Sequence, residues 1–135
     1  MGTPIRITAG GRKFKAELNE SETAQDILAV LPLEVTGKWW GDEIYFTIPV
    51  EREPEPDARA DFGVGELGYW PPGNAFCIFF GPTPVSTDGR PRMANRGNPI
   101  GWLIDDAKGL HQVKRASKIR VERIEESAPS SSGIQ

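Results

Sequence analysis

Six consecutive apolar residues, AFCIFF at 75–80, constrain the fold more than any other stretch of the chain. The turn sequence PPGN precedes them and GPTP follows, so the run is bounded by helix breakers and has the length of a strand. A strand with two apolar faces must be covered twice. One cover is expected to be the interior of a barrel, and the other a helix, a loop or a ligand. Residues 67–70 are expected to pair with it as a hairpin, with Pro72 and Gly73 in the second and third places of a type II turn.

Other strands are short and regularly spaced. Residues 5–9 and 12–18 flank Gly10-Gly11, a dipeptide that tolerates the positive φ angles of a tight hairpin, and Phe14, Ala16 and Leu18 alternate with charge. In SETAQDILAVLP, 21–32, Ser21 or Thr23 caps a helix. Asp26 stands in a capping-box-like position three residues after Thr23, Ile27, Leu28 and Leu31 form an apolar stripe, and Pro32 stops propagation. Residues 43–50, EIYFTIPV, put Ile44, Phe46 and Ile48 on one face and Glu43, Tyr45 and Thr47 on the other, with Pro49 marking an end or an edge.

Residues 51–61 carry five acids, two arginines and two prolines and read as a solvated loop, and residues 81–99 as a second, longer loop. Strands are expected again at 100–104, 111–113 and 118–124. Eight mainly antiparallel strands favour closure, which removes exposed edges and leaves an interior filled by side chains. The expected fold is therefore mainly β: a closed eight-stranded antiparallel barrel over residues 1–124 with one capping helix, followed by a disordered tail at 125–135.

With 135 residues the chain has the size of one domain, large enough to bury a real core without disulfides. Charged residues at 26% and a net charge of −3 suit a globular protein whose mean field weakly repels phosphate. Lys114, Arg115, Lys118, Arg120 and Arg123 read as a solvated strand face, so no nucleic-acid partner is expected. No segment approaches the ~18 apolar residues of a membrane span. The N-terminal sequence MGTPIRITAGGRKF has no apolar h-region, and the single Cys77 can form no internal disulfide. A cytoplasmic monomer or small homo-oligomer without a membrane partner is expected.

Catalytic sets are sparse. One histidine and one cysteine make no ordinary zinc site, His111 reads as a strand or turn residue, and Cys77 sits where burial blunts a thiol's nucleophilicity. Asp105-Asp106 reads as a turn pair, and no glycine spacing matches a phosphate loop. No metal and no cofactor are expected.

Three motifs carry a resemblance. WWGDEIYFTIPV at 39–50, GELGYWPPGNAFCIFFGPTP at 65–84 and NPIGWL at 98–103 are similar to the small prokaryotic cyclophilin-like family, and the likeness runs over residues 5–124. It implies an eight-stranded barrel capped by a helix, and no established activity. True cyclophilins weaken the resonance of a prolyl amide with an arginine on the third strand. The matching strand here, 43–50, has none, and the nearest is Arg52. RMAN at 92–95 resembles the MAN tripeptide that cyclophilins hold in a strand, but in its Gly- and Pro-rich setting it is expected in a loop and is read as coincidence.

An aromatic pocket is the candidate site. Trp40, Tyr45, Tyr69, Trp70 and Phe80 fall on or beside strands that such a barrel brings together, with Glu43, Thr83 and Arg92 as polar groups. The competing reading is that these rings are simply core. The expected function is binding of a small ligand or extended peptide in this groove, with a weak or atypical peptidyl-prolyl isomerase as the alternative.

Overall fold

Gly10 and Gly11 both take positive φ, 56° and 86°, and turn β1 (Thr3–Ala9) back into β2 (Arg12–Leu18) as the dipeptide suggested. The computed structural model describes residues 2–124. The expected disordered tail at 125–135 lies outside them. After β2 come α1 (Glu22–Val30), β3 (Leu33–Thr36), β4 (Lys38–Trp39), β5 (Glu43–Thr47), β6 (Arg59–Asp61), β7 (Glu66–Trp70), β8 (Ala75–Phe79), β9 (Arg92–Leu103) and β10 (Lys118–Arg123). Every strand pairing is antiparallel, in the order β3-β10-β1-β2-β9-β7-β8-β5-β4, with β6 added beside β9.

Among the described residues ten strands replace the expected eight, and hydrogen bonds do not close the sheet. Its two end strands, β3 and β4, are instead separated in the chain by Gly37 alone. A Cβ added at Gly37 would stand 2.8 Å from Ile119 of β10 and 3.2 Å from Ile44 of β5. Side chains from the two ends of the sheet therefore converge on one residue that has none. The additional strands, β3, β4 and β6, have two to four residues each, too few for a periodicity to register.

Ser21 is the helix cap, its hydroxyl accepting from Ala24 N–H at 3.2 Å. Ala24, Ile27 and Leu28 enter the main core beside Ile5, Ile7, Ile119 and Val121. Thr23 has another task. Fully buried with Asn98, it receives an Asn98 Nδ2 hydrogen bond at 3.0 Å and bonds the Glu55 carboxylate, while Glu55 N–H donates to Asn98 Oδ1 at 2.7 Å. Arg52 binds Asp26 and Glu22 of α1, each at 2.8 Å. The acidic segment 51–61 is thus tied down and ends in β6, contrary to its reading as a solvated loop. The partners named lie 26 to 43 residues away in the chain, beyond the reach of local composition.

Three further expectations change. At 71–74 the chain makes a 3₁₀ turn, Pro71–Gly73, and the positive φ falls on Asn74 at 48°, not on Gly73 as a type II turn requires. His111 lies in a second 3₁₀ segment, Ala107–Gln112, and not in a strand. Residues 92–99 belong to β9 and not to a loop. That strand accommodates Pro99 because it faces Gly68 where the β7–β9 register shifts, a place where a missing N–H is tolerated.

The run at 75–80 is buried on both faces. Phe76, Ile78 and Phe80 join the main core, where Phe76 stacks on Phe46 with ring centroids 5.2 Å apart. Ala75, Cys77 and Phe79 form a second cluster with Phe62 and Met93, and Phe79 stacks on Phe62 at 4.9 Å.

Candidate functional site

The second cluster is the floor of a pocket. Glu43, Tyr45 and Thr47 of β5 lie opposite Phe79, Cys77 and Ala75 of β8, so both strands turn these residues away from the main core. Tyr45 and Trp70 pack over the cluster, and Met93 belongs to it. Above it opens a cavity of about 250 Å³ lined by Trp40, Glu43, Tyr45, Trp70, Met93 and Ala94.

Local sequence sets each wall. Trp40 and Glu43 close a tight turn into β5: Trp40 N–H donates to the Glu43 carbonyl at 2.9 Å, and Glu43 N–H to the Trp40 carbonyl at 3.2 Å. Gly41 takes φ 61° in that turn, and a Cβ there would stand 2.9 Å from Pro84. A glycine thus lets segment 82–84 pack onto the turn. Trp70 is oriented in the same way, since a Cβ on Gly73 would lie 2.8 Å from its six-membered ring. Gly68 leaves room for Met93, whose Cε is 2.7 Å from where a Cβ would stand.

Glu43 is the pocket's one charged lining residue and is only 5% exposed. Burial pushes its carboxyl from the ordinary 4.5 up to about 7, and the neighbouring Cys77 thiol pulls weakly the other way. Burial also drives the Cys77 thiol well above its usual range, with Glu43 adding to the rise. Two buried side-chain atoms among the described residues have no hydrogen-bond partner, Glu43 Oε1 and Trp70 Nε1. Both belong to residues that line this cavity.

Four of the eight expected site residues, Trp40, Glu43, Tyr45 and Trp70, therefore meet at the cavity. The other four do not line it. Tyr69 is fully buried among main-core residues, its hydroxyl donating to the Val50 carbonyl at 2.5 Å and accepting from Arg52 N–H at 3.1 Å. Phe80 also faces the main core, edge-on to His111 at 4.8 Å. Alternation along β7 separates Tyr69 from Trp70. Thr83 donates to the Arg92 carbonyl at 2.5 Å and pins segment 82–86 to β9.

Arg92 pairs with Asp61 at 2.7 Å and lines a wider, more polar groove with Arg52, Asn95, Arg96, Pro71 and Pro72. Ala94 borders both groove and pocket. Met93 and Ala94 are the lining residues that sequence reasoning left out. The MAN tripeptide was the signal that held them, hidden by the surrounding glycines and prolines.

A family model described as cyclophilin-like matches residues 3–122. The chain belongs to the cyclophilin-like family. Its fold is similar to the solution structure of the hypothetical protein AF2241 from Archaeoglobus fulgidus, with 37% sequence identity and a TM-score of 0.77. The alignment covers 91% of this chain and 95% of that one. No curated protein matches the chain. Within this cyclophilin-like chain, Met93, Ala94 and Asn95 lie in β9, so the tripeptide occupies a strand as it does in true cyclophilins. The expectation that RMAN lies in a loop is corrected. No arginine lines the cavity. Among the described residues no helix is long and apolar enough to cross a membrane.

Proposed function

We propose that this cyclophilin-like protein is a binding module that holds a small, largely apolar molecule in the cavity bounded by Trp40, Glu43, Tyr45, Trp70, Met93 and Ala94. The observation that carries this reading is the pair of unpartnered buried polar atoms, Glu43 Oε1 and Trp70 Nε1, on residues of one aromatic cavity. A folded chain leaves few buried polar groups unpaired, and those it leaves call for an explanation. A ligand that pairs them supplies one. Apolar walls with a few polar groups are the common composition of small-molecule sites.

Titration with ring-containing fragments, followed by tryptophan fluorescence, tests the reading. Saturable binding by wild type is expected, weakened about tenfold or more in Tyr45→Ala, which removes an aromatic wall. Equal affinity in wild type and variant would place the binding elsewhere.

The strand position of Met93, Ala94 and Asn95 favours a second reading, prolyl isomerisation across the cavity and the adjoining groove. Catalysis requires a group that stabilises the twisted amide more than the planar one. Of the three arginines that line the groove, Arg92 is engaged by Asp61 and Arg52 by Asp26 and Glu22, while Arg96 stands outside the lining of the aromatic cavity. A protease-coupled assay on Xaa-Pro peptides is therefore expected to show little acceleration. An efficiency of ~10⁴ M⁻¹s⁻¹ or more, lost in Arg92→Ala, would promote the isomerase reading.

A further inference from the structure

The two unpartnered atoms have opposite needs. An indole N–H can only donate, so Trp70 Nε1 requires an acceptor. The Glu43 carboxylate accepts, so Oε1 requires a donor. The fold itself pairs neither atom, and the apolar surfaces of Trp40, Tyr45, Met93 and Ala94 make up the rest of the wall. A ligand with a donor and an acceptor on one flat frame would pair the two atoms and cover that wall.

Charge and size narrow the class further. No basic residue lines the cavity, so an anion would meet Glu43 with nothing to neutralise it. A cation would satisfy Glu43 but leave the Trp70 N–H without an acceptor. A dry cavity of roughly 150 Å³ holds a benzene ring, so about 250 Å³ has room for one or two fused rings.

We propose that the cavity takes a flat, uncharged nitrogen heterocycle of one or two rings, bearing an N–H that donates to Glu43 and a carbonyl or ring-nitrogen acceptor for Trp70 Nε1. The inference rests on the cavity being a ligand site and names the class it selects. The heterocycle lies against the aromatic walls, which supply most of the buried apolar area. The two polar contacts supply the discrimination, because an analogue lacking either group leaves a buried polar atom unpaired.

Calorimetric titration of the full chain at a pH above the Glu43 titration tests this with four probes. These are 4-quinazolinone, its N3-methyl derivative, benzylammonium and benzoate. Quinazolinone is expected to bind saturably, and the N-methyl derivative at least about tenfold more weakly, since it has lost the donor. Glu43→Leu and Trp70→Phe are each expected to weaken quinazolinone by a similar factor, and their thermal unfolding reports whether they remain folded. Should either variant fail to fold, the N-methyl comparison on wild type still decides. Equal binding of quinazolinone and its N-methyl derivative would overturn the inference. Tighter binding of benzylammonium or benzoate, sensitive to Trp70→Phe, would overturn the ligand class while leaving the cavity a ligand site. Binding by none of the four would overturn this inference, and the fragment titration on Tyr45→Ala then judges the cavity itself.

Discussion

Phe46→Ala is expected to lower the free energy of unfolding by about 3 to 5 kcal/mol, the range for removing a large buried ring. Phe46 is buried in the main core and stacks on Phe76 of the neighbouring strand. The loss combines transfer of the ring with the cavity left behind, because strands on both sides hold the site open. Phe79→Ala is expected to cost a similar amount for a different reason. Phe79 is fully buried in the second cluster, stacked on Phe62, so its removal hollows the layer beneath the pocket. Urea unfolding of both variants measures the effect. A loss below about 1 kcal/mol at Phe79 alone would mean that only the inner face of β8 is core.

Glu43→Gln is expected to change how stability depends on pH. Below about 4.5 the Glu43 carboxyl is protonated in both folded and unfolded chains and contributes no difference. As pH rises from 4.5 towards 7 the unfolded chain ionises first, while burial keeps the folded carboxyl protonated, so a penalty on the fold builds up across that window. Above about 7 the penalty is constant. Each tenfold change in proton affinity is worth about 1.4 kcal/mol, so the penalty approaches about 3 kcal/mol. Glutamine does not titrate. Unfolding measured from acid to mildly alkaline pH should therefore show the variant gaining on wild type by about 3 kcal/mol across this window, by the same conversion. Parallel curves would mean that Glu43 ionises in the fold as it does in water.

Local pattern was legible where the chain's own spacing carries it. The Gly10-Gly11 hairpin, the Ser21 helix start, the inward set Ile44 and Phe46, and the double burial of 75–80 all follow from short-range signals. What was not legible depends on residues far apart. The knot of Thr23, Glu55 and Asn98 joins three segments, and nothing in EREPEPDARAD announces that Glu55 will be held by a helix and a strand. Strand β9 was obscured at its start because Gly97 and Pro99 usually signal loops. Here Gly97 admits the Met93 side chain, and Pro99 sits at a register shift.

The site divides along the same line. Trp40, Glu43, Tyr45 and Trp70 were named from their strands, but the sequence could not separate Tyr69 from Trp70, adjacent aromatics of which one faces the core and the other the pocket. Deciding which faces which way requires the register of β7 against β8, fixed by Tyr69 opposite Phe76 and Trp70 opposite Ala75. Sheet closure was overestimated for a related reason. Strand count predicts that edges will be hidden, but not that a one-residue connection at Gly37 will bring the two ends together in place of a ladder.

The indole N–H resonances of the protein test the central claim most directly. The chain has four tryptophans, and among them Trp70 Nε1 is buried without a partner, while Trp102 is 41% exposed on β9 and serves as a reference. In ¹⁵N-resolved NMR spectra recorded as a cavity ligand is added, the Trp70 Nε1–H signal should shift downfield and exchange more slowly with water, as a donor gaining an acceptor does, while the Trp102 signal stays in place. A ligand that saturates the protein while leaving the Trp70 indole signal unmoved would contradict the account.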